Sequence, residues 1–253
     1  MFYLVFQKYK RNIFSQNGED GIVLEILKRL KLNSKNKWCC EFGAWDGVHG
    51  SNTFNLVKKF NYNAVYIESD KNKFRDLLKT SKKFKKIIPL NKLVSHKKNS
   101  PNSLQKILKK TKITPDFDIL SIDIDSFDLA VWKSLKNYRP KIVIIEINSG
   151  LLPGVKQVHG NGKIGNSFTS TVEYAQKNNY QLVCHTGNCV FIDKKYSKKL
   201  RINKKFLNNK NVDLLFDKTW FNKKEYFIKK ILKIILPKKV IKFLIYIKSK
   251  IKK

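Results

Sequence analysis

The sequence predicts an α/β protein built on an open, mostly parallel sheet, and three observations predict it. Apolar strand-like runs such as Ala64-Val65-Tyr66-Ile67 and Ile142-Val143-Ile144-Ile145 alternate with helix-like stretches, the pattern of right-handed strand–helix–strand crossovers. A strand-like run leads into a glycine-bearing turn with an acid at its mouth, Cys39-Cys40-Glu41-Phe42-Gly43-Ala44-Trp45-Asp46-Gly47. Acids then recur where successive runs close, at Glu41, Glu68, Asp123 and Glu146. In an open sheet the carboxyl ends of the strands line the ligand crevice, so these four are expected around one pocket.

The elements follow in order. Ser15-Gln16-Asn17-Gly18-Glu19-Asp20 reads as a capped start to an amphipathic helix, with Ile22, Val23, Ile26, Leu27 and Leu30 at helical spacing. After the first strand, Ser51-Asn52-Thr53 leads into a helix carrying Phe54, Leu56 and Val57. The second strand ends at Glu68, and 70–79 is its following helix. Residues 87–94 form a weaker third strand, part of it demoted by Pro89. A short helix over 103–110 precedes a strong strand at 117–123, and a helix at 129–135 precedes a fifth strand at 141–147. That strand is apolar on both faces and therefore central. Residues 148–168 are glycine-rich, contain Pro153 and lack periodicity, as a functional loop does. A helix over 169–178 and two short strands, 180–184 and 189–192, close the domain as an antiparallel hairpin. The expected division is 1–200 for the α/β domain and 201–253 for a basic extension.

Composition narrows the function classes. At 253 residues, with 42% hydrophobic residues, the chain can build one substantial core. Net charge is +34 and pI about 10.0, which ordinarily points to nucleic acid or membrane. The bases, however, are 48 Lys against 5 Arg. Lys and Asn enrichment without Arg is the mark of an AT-rich genome, and specific nucleic-acid readers lean on bidentate Arg contacts. Nonspecific polyanion binding is expected; a specific nucleic-acid partner is not. Four cysteines make no disulfide framework: Cys39 and Cys40 are adjacent on a strand and face opposite ways. A zinc site of Cys184, Cys189 and His185 is conceivable but lacks paired Cys-x-x-Cys spacing. Buried thiols in a reducing cytoplasm fit better. The apolar residues 1–6 are too short for a signal peptide, and no apolar run reaches the ~20 residues of a spanning helix. Residues 223–253 carry twelve Lys and a single acid, Glu225, among apolar Ile231, Ile234, Ile235, Ile241, Leu244, Ile245 and Ile247. They read either as a basic amphipathic helix pair lying on anionic membrane or as a packing helix with a solvated face.

The glycine turn bears on the ligand. Small residues at Gly43, Ala44 and Gly47 let backbone N–H groups approach it. An acid at the end of the next strand, here Glu68, accepts both hydroxyl hydrogens of an adenosine ribose. A dinucleotide is disfavoured, because the pyrophosphate cradle wants Gly-x-Gly-x-x-Gly and after Gly43 this chain has Trp45, not Gly, at the second of those positions, with Asp46 beside it. Glu41 and Asp46 would also repel phosphates. A cofactor with a ribose and a cationic tail, S-adenosylmethionine, suits these acids. An ordinary strand–turn–helix with surface acids and helix caps is the plain alternative, and capping suits Asp125 or Asp128 individually.

Several of these segments resemble the FkbM family of S-adenosylmethionine-dependent methyltransferases: Ser15 to Asp20, Glu41 to Gly47, Ser51-Asn52-Thr53, Tyr66-Ile67-Glu68, Ser121-Ile122-Asp123-Ile124-Asp125, Val143 to Asn148 and the closing hairpin. The resemblance spans roughly residues 12–195. It implies a class I methyltransferase (Rossmann-like) fold, seven strands with helices on both faces and the last hairpin antiparallel. It also implies that Gln16, Glu41, Gly43, Ala44, Gly47, Asn52, Thr53, Glu68 and Asp123 bind the cofactor, with Glu41 near the methionine ammonium and Glu68 on the ribose. Asp123 faces methyl donor and acceptor; Asp123 and Asp125 are the first candidates for the base, with His159 in the 148–168 loop as a second, and Asp128, Glu146, Asn148 and His159 are candidates for acceptor contacts, with no metal. Family members are associated with O-methylation of sugar-like or polyketide hydroxyls, so a small-molecule or glycan acceptor is expected. Two departures stand out: Ser126 where the family often has Gly, and the bulky Trp45, which would narrow the pocket. A rival reading takes Asp123-Ile124-Asp125 as the metal-binding Asp-x-Asp of a glycosyltransferase; another is a noncatalytic membrane- or polyanion-binding module.

Overall fold

The computed structural model describes residues 6–31, 37–202 and 209–221. The chain divides into two units, residues 1–217 and 218–253. In the second, a short 3-10 turn, Lys218–Trp220, is described; the proposed membrane-binding segment 223–253 lies outside the described residues. The first unit runs 17 residues past the boundary expected from sequence, and Val212, Leu215 and Phe216 are buried in it.

Seven strands form a single sheet in the order β3-β2-β1-β4-β5-β7-β6. They are β1 (Trp38–Phe42), β2 (Asn63–Glu68), β3 (Ile87–Asn91), β4 (Ile119–Ile122), β5 (Ile142–Glu146), β6 (Tyr180–His185) and β7 (Asn188–Asp193). The first five are parallel, whereas β7 pairs antiparallel with both β5 and β6. This order, with the inserted antiparallel β7, is the class I methyltransferase fold. Strand order reverses between β1 and β4, and the crevice beyond their carboxyl ends is the ligand-binding position of such sheets. The helices are α1 (Glu19–Leu30), α2 (Phe54–Phe60), α3 (Lys71–Lys83), α4 (Leu104–Leu108), α5 (Asp128–Ser134) and α6 (Phe168–Lys177). α1 precedes the first strand, and each of α2 to α6 connects successive strands as the alternating pattern requires. Pro89 is tolerated because β3 is an edge strand. The expected central strand is β5, flanked by β4 and β7 and buried over Ile142–Ile145.

The start of α1 is capped from Ser15, whose Oγ accepts the Asp20 N–H at 3.1 Å. The N-cap position itself is Gly18, at φ +93°, with no side-chain cap of its own. Asp20 in return turns back, its Oδ2 accepting the backbone N–H groups of Ile13, Phe14 and Ser15 at 2.7–2.9 Å. The 12–18 segment is thereby a fixed loop. All four cysteines are free and buried.

The hairpin is locked to the following chain by a neutral histidine. His185 Nδ1 accepts the Asp217 N–H at 3.0 Å, so Nε2 carries the proton and donates to Ser149 Oγ at 2.8 Å; Ser149 in turn donates to the Gly187 carbonyl. Both ring nitrogens are thus engaged within the protein, which leaves neither for the zinc site considered from sequence. The ring stacks on Phe216 at 4.5 Å. Burial pushes its pKa down to about 4. Because the unfolded imidazole titrates near 6.5, His185 favours the fold fully above that pH, and its contribution is lost as pH falls toward 4. The stability gap between wild type and His185→Gln should therefore narrow by about 2 kcal/mol between pH 7 and pH 5 in urea titrations. A gap constant with pH would show that the ring is not held neutral.

Candidate active site

The carboxyl ends of β2, β1, β4 and β5 stand side by side, and each delivers an acid. Glu68 closes β2. Its Oε2 accepts the Trp45 N–H and its Oε1 the Asp70 N–H, each at 2.8 Å. The acid thus latches the glycine turn to the start of α3, while each oxygen keeps a second lone pair. Gly43 sits at φ +75°, and a Cβ there would lie 1.9 Å from the Asp123 carbonyl oxygen. Glycine is required because β1 and the exit of β4 approach so closely. Gly43 is also exposed to a cavity of about 590 Å³ whose walls include Phe42, Ile67, Ser69, Ile124 and Phe127, within the roughly 300–1,000 Å³ of small-molecule sites.

Beyond β4, Asp123 and Glu146 hydrogen-bond each other. Glu146 Oε2 also accepts the Asp125 N–H at 3.1 Å. Burial raises both pKa values, and the mutual repulsion of Asp123, Asp125, Asp128 and Glu146 adds to it. The pair therefore holds a proton well above the ordinary carboxylate range. Asp125 is exposed and adopts φ +57°, a left-handed conformation. The strained position after β4 is thus Asp125; Ser126 has no positive φ, so the absent family glycine there costs nothing.

Several residues assigned to ligands from sequence turn inward. Glu41 is buried and surrounded by donors: its Oε2 accepts Ser51 Oγ at 2.8 Å and Thr53 Oγ1 at 2.5 Å, and its Oε1 accepts the Asn52 N–H at 3.2 Å. Burial pushes Glu41 up to about 7 against these hydrogen bonds. Asn52 donates to Ser121, and Thr53 also bonds the Tyr66 hydroxyl. These three form one buried hydrogen-bond network that holds the start of α2. Gly47 is required by packing, since a Cβ would meet Leu77 and Tyr66. Ala44 is buried. Asp128 is consumed by its own loop, accepting the N–H groups of Ile124 and Ser126 at 2.9 Å. Asn148 is tied to Ile164 and Gly150. Gln16 is exposed, its amide lying against Gly50 beside the turn. Trp45 stands outside the cavity wall, its ring beneath the Lys73 ammonium at 5.3 Å, so it does not narrow the pocket.

Sequence reasoning missed the cavity's outer wall. Lys92, Leu93, Val94, Ser95 and His96, on the loop after β3, contribute to it. His96 stacks on Phe127 at 4.1 Å, and His159 packs edge-on to Phe127 at 4.4 Å. His159 Nδ1 accepts the Gly165 N–H; the histidine thereby ties the 148–168 loop to the exit of β4. Glu19 was read as part of a cap, yet it is fully buried, accepts Thr186 Oγ1 and Asn188 Nδ2, and lies close enough to raise the Asp123 pKa. Among the described residues no group of three or more His, Cys, Asp or Glu side chains is placed to hold a metal ion, and no helix is long and apolar enough to cross a membrane.

No family model matches the chain, and no curated protein does. Solved structures are similar to it at low identity. M. capricolum TrmK in complex with S-adenosyl-homocysteine is 17% identical, covering 90% of this chain and 93% of its own, with a TM-score of 0.47. The N-terminal domain of EvdMO1, in the presence of S-adenosyl-homocysteine and D-fucose, is 9% identical, covering 70% and 82%, with a TM-score of 0.43. The CurJ carbon methyltransferase is 8% identical, covering 74% and 56%, with a TM-score of 0.47.

Proposed function

We propose that this chain is an S-adenosylmethionine-dependent methyltransferase of FkbM type that O-methylates a hydroxyl of a sugar or glycan-like small molecule. The observation that carries this reading is the cavity over Gly43; the acids expected around it from sequence are not among its wall residues but stand next to them in the chain, Glu68 after Ile67 and Asp123, bonded to Glu146, before Ile124. The residues fit such a cofactor. The apolar walls from Phe42, Ile67, Ile124 and Phe127 suit an adenine ring, Glu68 keeps lone pairs for ribose hydroxyls, and a carboxyl cluster favours a positively charged sulfur and ammonium. The bound cofactor supplies an electrophilic methyl group.

The chain's own residues do the rest. Asp123 accepts the proton of the acceptor hydroxyl, for which a base raised toward neutrality is well matched. Glu146, protonated in the resting pair, donates to Asp123 and fixes its orientation. The fixed glycine turn and the tied 148–168 loop hold the two reactants in line, the larger share of catalysis in a displacement of this kind.

Titration calorimetry with S-adenosyl-homocysteine tests the reading. The wild type should bind it, and Glu68→Ala should weaken binding about tenfold to a hundredfold, the worth of hydrogen bonds to a charged group. A wild-type protein that does not bind would overturn the proposal. Undiminished affinity in Glu68→Ala would remove the acid from the ribose.

A further inference from the structure

Two loops at the carboxyl edge of the sheet carry side chains that neither the fold nor the chemistry explains. Residues 92–103 follow β3 and residues 148–167 follow β5. They are joined physically through the ring contacts of His96, Phe127 and His159, so they belong to one face. On that face Leu93 is 72% exposed, Ile164 67% and Val158 49%, with Val155 and Leu152 also exposed. Exposed aliphatic side chains are ordinary when scattered. Here five fall on two linked loops, and Leu93 itself walls the cavity. Both loops are basic, with Lys92, Lys97, Lys98, Lys156 and Lys163, and neither contains a single carboxylate. Lys156 is paired with Glu173 of α6.

We propose that these two loops seat the cavity mouth against an anionic lipid bilayer. The aliphatic side chains enter the headgroup–acyl boundary while the lysines meet the lipid charges, the division of labour of interfacial binding segments. Charge complementarity and aliphatic exposure together select this partner. A nucleic acid would use the lysines but gain nothing from Leu93, Val158 and Ile164, and neither loop offers an Arg. The proposal rests on these two loops alone and does not depend on residues 223–253. An acceptor embedded in or anchored to the bilayer would then reach the cavity without leaving the membrane surface.

The test places an environment-sensitive fluorophore on the full chain at Ile164→Cys, with Lys83→Cys at the far end of α3 as reference. Both are mixed with vesicles of phosphatidylcholine alone or with phosphatidylserine, and with single-stranded DNA. The expected result is a blue shift at 164, and none at 83, with the phosphatidylserine vesicles. In sedimentation, Leu93→Asp combined with Ile164→Asp should lower partitioning at least roughly tenfold, given the transfer cost of two aliphatic groups. A label at 164 that keeps its aqueous emission while the protein sediments with vesicles overturns the proposal, because the attachment then lies elsewhere in the chain. So does a shift that DNA produces and vesicles do not, or a failure to sediment at all.

Discussion

Asp123→Asn is expected to lower turnover by about 10²–10⁴, the range for loss of a general base, while S-adenosyl-homocysteine affinity stays within a few-fold. The same substitution should make the ligand-free protein more stable at pH 8. Asp123 and Glu146 are half-buried side by side and repel each other and their acidic neighbours, so their folded pKa values lie above the unfolded ones. Between the two, the native state holds protons that the unfolded chain has released. Stability therefore falls as pH rises through and beyond the ordinary carboxylate range near 4. Replacing one carboxylate with an amide removes that cost, by an amount on the order of 1–3 kcal/mol at pH 8. At pH 4 both groups are protonated in the folded state and about half protonated in the unfolded chain, so most of the gain should be gone. Glu146→Gln should show the same pH signature. Paired denaturation curves at the two pH values measure it, alongside a single-turnover assay. An Asp123→Asn protein with unchanged turnover is incompatible with the assigned base, and one equally stabilised at pH 4 is incompatible with a charge origin.

Gly43→Ala carries the second large effect. The new methyl would sit 1.9 Å from the Asp123 carbonyl oxygen at a φ of +75°. Backbone is the obstacle, so no side-chain rotation relieves it, and β1 must part from the exit of β4. The cost should be about 4 kcal/mol or more, visible as lost soluble protein or a lowered urea midpoint. Gly154→Ala is the control. Its φ is also positive, at +92°, but nothing lies within 4 Å of the added methyl, so strain alone should cost about 1 kcal/mol. If the two variants unfold at the same denaturant concentration, the close approach at Gly43 is not what fixes the turn.

The strands, their order of occurrence and the acids that end them were legible because a buried parallel strand is a short apolar run, and its last residues must face the crevice. Gly43 and Glu68 were readable for the same reason. Side-chain direction was not. Nothing in Glu41-Phe42-Gly43 says that Glu41 turns inward to Ser51 and Thr53, and Asp128 looks like any acid before it is seen closing its own loop. The outer wall at Lys92 to His96 was missed because a loop without periodicity offers no pattern to read. Ser126 drew notice as a missing glycine, yet the left-handed residue is Asp125, and a sequence does not show which of two adjacent positions bends.

Pro89 has a consequence for the life of the protein in a crowded solution. The bonds from β3 to β2 begin at the Lys86 carbonyl and end at the Lys92 N–H. Alternation along the strand therefore turns the odd-numbered positions outward, Pro89 among them. An open sheet margin is an invitation to foreign strands, and the middle of this one has no hydrogen to offer. A threonine at 89 would restore the missing donor and, with it, the hazard of fibrous self-association.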